Sequence, residues 1–303
     1  MTMVLDQRGS SRAGEMLNAA ELKRQGARER RVLASLTLPG AILIFIVLIL
    51  PIGWLSWLSF FGPAGQLTLD NYARMLRPVY VRTFITTFEI SGLVTLVCVL
   101  LGYPVAYLLA QLSERAAGIL MIFVILPFWT SVLVRTYAWL VLLQRTGLIN
   151  TWLKDAGLIS EPLPLVHNTF GTVIGMIHVM LPFLILPLYA SMRAIDPVYM
   201  RAAANCGATP AQAFRQVFLP LSLPGLAAGV GLVFVLCLGF FVTPALLGGG
   251  RVAMWAMQIA NNISVYGNWG AASALGVVLL IVTGVILYAF KRLFKVDSFG
   301  GVR

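Results

Sequence analysis

Side chains able to do chemistry are few in this chain, and their spacing assembles no reaction centre. Cys98, Cys206 and Cys237 form no CxxC pair and have no histidine beside them, so neither a disulfide framework nor a metal site is expected. No Ser/His/Asp grouping, paired carboxylates or HExxH occurs, which argues against a membrane enzyme. The phosphate-cradling pattern GxxxxGKS/T is missing too, so ATP is not expected to bind here. Gly248-Gly249-Gly250 lacks the lysine and reads as a loop at a membrane boundary.

What remains is a pair of charges in apolar surroundings, Glu89 and Arg135. Their similar depth and long side chains permit an ion pair, which either fixes packing or lines a wet path. His178 lies in another apolar run and is expected to hydrogen-bond between helices. Aromatic side chains offer faces for a cation: Trp129, Tyr137 and Trp139 in one run, and Phe240 and Phe241, followed by Thr243, in another. Phe240 and Phe241 are expected either to line a gate or to pack against core or lipid.

The elements that must hold these groups are membrane spans. The chain has 303 residues, 59% hydrophobic and 11% charged, against about 25% charged in a soluble domain. Six runs reach the roughly 20 residues that a helix needs to cross hydrocarbon: Val32–Phe60, Phe84–Leu112, Ala116–Leu143, Thr169–Ala190, Leu221–Leu247 and Ala271–Phe290. Helices are the natural choice because lipid offers no partner to an unpaired backbone group, and the alternation of a barrel is missing. The first run is too long for a signal-peptide core and has no small-residue cleavage site behind it, so it is expected to stay. An all-α membrane domain over residues 32–290 follows, with polar tails at 1–31 and 291–303.

Net charge is +11, but the basic residues lie beside apolar runs, which fits topology better than nucleic acid. With the N-terminus inside, fifteen of the 22 Lys and Arg fall on the cytoplasmic side. Six (Arg74, Arg77, Arg82, Arg145, Lys154 and Arg251) fall outside, which favours both termini in the cytoplasm. Pro51, Pro104, Pro127, Pro182, Pro187 and Pro244 interrupt the runs and are expected to kink them.

One polar stretch, RAAANCGATPAQAFRQVFLPLSLPG from Arg201 to Gly225, is too regular for a mere connector. Asp196-Pro197 reads as an N-cap with Pro at the first helical position, opening an alanine-rich helix over 198–206. Gly207 supplies a left-handed close. Thr209-Pro210 repeats the start, and a second short helix is expected to run until Pro220, with Phe214, Val217, Phe218 and Leu221 on one apolar face. Pro224-Gly225 then hands over to the fifth span. Facing the cytoplasm, the paired helices offer an alanine surface and an aromatic ridge on which another protein could dock. An amphipathic helix lying on lipid is the other reading, against which the small alanines count.

This stretch resembles the EAA loop of ABC-importer permeases. The matching residues are Ala202-Ala203, Gly207-Ala208, Phe214, Leu219-Pro220 and Pro224-Gly225, with Arg201 standing where the family usually has Glu. Further stretches are similar to the polyamine (spermidine/putrescine) branch, and to the first of its two related permeases: GYPVAYLLA (102–110), LPFWTSVLVRTYAWLVLLQRTGLIN (126–150), IGMIHVMLPFLILPLY (174–189) and LGFFVTPALLGGG (238–250).

The resemblance implies a type I, six-span permease in the bacterial inner membrane. It also implies a second homologous permease, two cytoplasmic ABC ATPase subunits that hold ATP and Mg, and an extracytoplasmic substrate-binding protein. The ATPase is expected to dock on Arg201, Ala202, Ala203, Gly207, Ala208, Thr209, Pro210, Phe214, Val217, Leu219 and Pro220. A small amine-bearing solute, a polyamine first, is expected to move by alternating access. Polyamine-type permeases often have an acidic residue where this chain has Phe240, which keeps an opine or amino acid open as cargo. A secondary carrier or channel is the competing class. It would need coupling-ion residues in the spans, and Glu89 is the only acid there.

Overall fold

The computed structural model describes residues 32–33, 35–63 and 65–294, so the expected N-terminal tail and residues 295–303 lie outside the described residues. Two compact units meet at residues 57 and 58. The first carries nearly all of α1 (Ser35–Leu58). Within α1 a π-helical turn, Phe45–Ile49, comes just before Pro51. A proline ring clashes with the carbonyl four residues back, and a widened turn at that point makes room for it.

The second unit is built on three long helices: α3 (Pro78–Gln111), α7 (Thr169–Arg193) and α9 (Pro210–Leu238). Between them in sequence lie the short α2 (Asp70–Ala73), then α4 (Glu114–Ile125), α5 (Val132–Leu143), α6 (Leu148–Asp155) and α8 (Pro197–Asn205). After them come α10 (Val242–Leu247), α11 (Trp255–Ser264) and α12 (Trp269–Phe294). Among the described residues extended pairing is limited to the isolated bridge between Phe61 and Leu67.

Helix α7 packs most extensively against α3 and α9. Lipid tails are as apolar as leucine, so close approach must supply the attraction between helices. Small residues allow it: Gly225 and Gly229, four apart on α9, sit against Ser191 and Leu184 of α7, and Gly102 of α3 also meets Leu184. A Cβ at Gly229 would come within 3.1 Å of the Leu184 carbonyl oxygen. The seam is filled by one cluster around Val94, Cys98, Met176, Leu184, Val233 and Cys237 and another around Leu109, Ile185, Leu188, Met192 and Phe218. Large apolar side chains on α3, α4 and α12 of this unit are exposed, as on a surface that meets lipid.

Two expected spans are corrected. The third is not one helix. Glu114–Trp129 and Val132–Asp155 meet at 95°, so five helices long and apolar enough to cross a membrane and this bent pair make up the expected six. Pro127 breaks the ladder, a 3₁₀ turn Leu126–Trp129 follows, and Thr130 ties itself back to the Pro127 carbonyl through N–H (3.2 Å) and Oγ1 (2.9 Å). The fifth span does not run unbroken from Leu221 to Leu247: α9 stops at Leu238, and Gly239–Phe241 separate it from α10. The ring of Pro244 excludes a helical carbonyl at Phe240, four residues back. At the chain's far end residues 291–294 continue α12, where a tail was expected.

Candidate functional site

Two regions carry the residues singled out above. The first is a knuckle between α7 and α9. Asp196 accepts the Val198 N–H at 2.8 Å with Pro197 at the first helical position, as expected. Helix α8 ends where Gly207 adopts φ +84°, and the Gly207 and Ala208 N–H groups return to Ala204 (2.9 Å) and Ala203 (3.0 Å). Thr209 and Gln212 form a full capping box at the start of α9. Arg201 and Ala202 are exposed and Ala203 is half-buried. Ala203, Gly207, Ala208, Gln212 and Val217 line an open cleft of ≈ 400 Å³, with the exposed thiol of Cys206 at its edge.

The second knuckle helix does not end at Pro220. It runs on through a π turn, Phe214–Phe218, into the long helix without a break, and the turn again precedes a proline. The apolar face drawn from Phe214, Val217, Phe218 and Leu221 is also not an outward ridge. Phe218 is buried, and Phe214 and Phe218 stack at 5.8 Å with Tyr107 edge-on to both at 5.3 and 5.1 Å. Tyr103 adds a T-shaped contact to Phe214, and its hydroxyl meets Ser222 Oγ at 2.9 Å. The rings therefore fasten the knuckle to α3, leaving the alanine surface free. Arg193, at the end of α7, donates to the carbonyls of Ala110 (3.0 Å) and Leu112 (2.9 Å) at the end of α3 and lies 3.9 Å from Glu114. Tyr103, Tyr107, Ser222 and Arg193 were not anticipated as functional. The signal was the i, i+4 spacing of the two tyrosines, which puts them on one helix face.

The second region surrounds the two helix breaks. Thr243 is buried, and its hydroxyl meets that of Thr136 at 3.1 Å, joining α10 to α5. Trp139 donates its indole N–H to His178 Nδ1 at 2.9 Å, the interhelical bond expected of that histidine. Phe240 is half-buried and packs on the core, whereas its neighbour Phe241 is exposed. Trp129 and Tyr137 are exposed as well. Arg135 is half-buried, and its Nε is shut away without a hydrogen-bond partner. Glu89 does not pair with it: that carboxylate is exposed on α3, in an open cleft shared with Val81, Arg82 and Ile85. The breaks thus bring Thr136 and Thr243 together, with Phe240 and Phe241 just before Thr243 in sequence, and leave Glu89 apart. No cluster of three His, Cys, Asp or Glu that could hold a metal exists among the described residues.

Residues 98–295 match the family described as binding-protein-dependent transport system inner membrane component. The chain is 34% identical over 232 residues to a spermidine/putrescine transport system permease protein PotB of Haemophilus influenzae, covering 77% of this chain and 81% of that one. It is 30% identical over 287 residues to the inner membrane ABC transporter permease protein YdcU of Escherichia coli, covering 84% and 91%. Among solved structures, a chain of the bacterial alginate ABC transporter, in complex with its alginate pentasaccharide-bound periplasmic protein, superposes with a TM-score of 0.72 at 19% identity, over 89% and 96% of the two chains.

Proposed function

The chain belongs to the family of binding-protein-dependent transport system inner membrane components, and from that premise we propose that its knuckle takes the stroke of an ATPase while its two helix breaks form the gate. It is a permease subunit of an ABC importer of the polyamine type, a transport component with no catalytic activity of its own. The cargo is a small amine-bearing solute: a polyamine as the names of its relatives suggest, or an amine that also carries other groups.

The observation that carries the reading is the attachment of the knuckle. Its alanine face and cleft are open, Tyr103 and Tyr107 fix its other side to α3, and Arg193 ties the end of α3 to the end of α7. A push on Arg201–Pro220 therefore reaches α3, α7 and α9 directly. ATP and Mg belong to two copies of the ATPase, which sit in the cytoplasm, where the excess of basic side chains puts the knuckle and both termini. A second, homologous permease completes the path, and an extracytoplasmic binding protein delivers the solute. Movement of the docked knuckle swings the bundle between inward- and outward-facing states, with Phe241, Trp129 and Tyr137 on the path side.

Cys206 is a native probe of docking, because Cys98 and Cys237 are buried. A membrane-impermeant maleimide applied to inside-out vesicles should label Cys206 in the permease expressed alone. Co-expression with the ATPase should protect it, and the ATPase should co-purify. Equal labelling in both preparations, with no ATPase retained, would point to a carrier and sink the reading.

A further inference from the structure

Helix α3 has two unlike faces. One packs against α7 and α9 and is buried, as at Ile90, Val94 and Cys98. The other is uncovered: Arg82, Ile85, Glu89, Leu93 and Leu96 are all exposed and recur at three and four residues, which puts them in one stripe. Val81, Arg82, Ile85, Thr86 and Glu89 line an open cleft of ≈ 730 Å³ there. The isoleucine and leucines would suit lipid, but Glu89 would not. It lies about 10 Å further along the helix than Arg82, inside the apolar run that begins at Phe84. A carboxylate at such a depth faces a protein interior or a wet cavity and is paired there. Neither Glu89 nor Arg82 has an ion-pair partner among the described residues, and about two helical turns keep them from pairing with each other. Apolar neighbours on both sides of Glu89 do not make the wall of a water-filled cavity, so the cover must be another polypeptide.

The two charges also limit which polypeptide. Chains of one orientation that pair about an axis along the membrane normal keep each residue at the same depth in both. A second copy laid stripe to stripe would set Glu89 against Glu89 and Arg82 against Arg82, and like charges facing each other reject a pairing. A related but different chain can answer both charges. We infer that the second permease covers this stripe of α3, with a cationic or N–H-bearing side chain at the depth of Glu89 and an acceptor at the depth of Arg82. The two charges thereby select that partner over a second copy of this chain. This rests on the importer reading above and adds to it a surface and a rule of pairing.

The test uses the whole importer, purified after co-expression. A photo-crosslinking benzoylphenylalanine replaces Ile85 or, in a separate variant, Leu93, about one turn to either side of Glu89. Irradiation should join this chain to the second permease from at least one of these positions. Adducts with lipid alone, or with a second copy, in an importer that retains its second permease overturn the inference. If no second permease is retained, the importer reading fails and the inference with it. Expressed without the second permease, the probe variants should give little self-adduct. Glu89→Gln should raise that self-adduct about tenfold, the equivalent of about 1.4 kcal/mol of repulsion removed. In the co-expressed importer Glu89→Lys should lower the adduct with the second permease by about tenfold, and Glu89→Gln by less. A carboxylate that merely packs would leave the self-adduct and the partner adduct of Glu89→Gln at their wild-type levels, which also overturns the inference.

Discussion

The knuckle and the broken helices are both places where the chain leaves regular helix, yet they are fixed in opposite ways. At the knuckle every change of direction has a local cause: Asp196 and Pro197 start α8, Gly207 ends it, and Thr209, Pro210 and Gln212 start α9. The breaks at Thr130–Ser131 and Gly239–Phe241 have a proline nearby, but no side chain caps α5 or α10, and the two helices are held by packing and by a hydrogen bond between threonines distant in sequence. A part that transmits force should be over-determined and move as one body. A part that opens and closes should have few local constraints, so that two arrangements differ little in energy.

The largest effect is expected from loosening the knuckle from the bundle. Phe218 is 3% exposed and touches Phe214 and Tyr107. Phe218→Ala should cost about 3–5 kcal/mol in stability. In the purified importer this should appear as a lowered unfolding midpoint, with ATP hydrolysis continuing while uptake per ATP falls. Unchanged uptake per ATP would mean the rings hold the fold but pass no motion. Next is Gly207→Pro. Proline fixes φ near −65° and has no N–H, whereas Gly207 sits at +84° and donates to Ala204. A cost of about 3 kcal/mol, local to the knuckle, is expected. ATP-coupled uptake should drop by about tenfold or more, and full coupling would remove the knuckle from the mechanism.

Legibility in the sequence follows the same division. The caps at Asp196 and Thr209 and the turn at Gly207 were readable because each depends on side chains within three residues of the backbone they satisfy. Existence of the spans was readable from composition. Their continuity was not: hydropathy does not register the bend between α4 and α5 or the end of α9 at Leu238, since the residues on both sides are equally apolar. The continuation of α9 past Pro220 was also hidden, because proline usually ends a helix and only the π turn lets it pass. Residue by residue, His178 as an interhelical partner was foreseen from its setting. The outward aromatic ridge was a misreading, because periodicity groups Phe214 with Phe218 but does not say which side of the helix meets α3.

Two milder substitutions, one in each region, are alike in stability cost and should differ in consequence. Thr209→Ala removes a capping box on an exposed turn and should cost about 1 kcal/mol. Hydrogen exchange at the Gln212 amide, which the Thr209 hydroxyl now accepts, should quicken accordingly, with transport nearly unchanged because the rings still hold α9 in place. Thr136→Val removes the bond to Thr243, worth about 0.6 kcal/mol for a polar contact between membrane helices. Its cost in unfolding midpoint should be the lower of the two. Yet it frees α10 from α5 beside the break at Phe240 and Phe241, so solute leak without ATP should rise in Thr136→Val vesicles and not in Thr209→Ala ones. If the leak follows the stability cost instead, rising more in Thr209→Ala, the two regions share one rigidity and the broken helices are no gate.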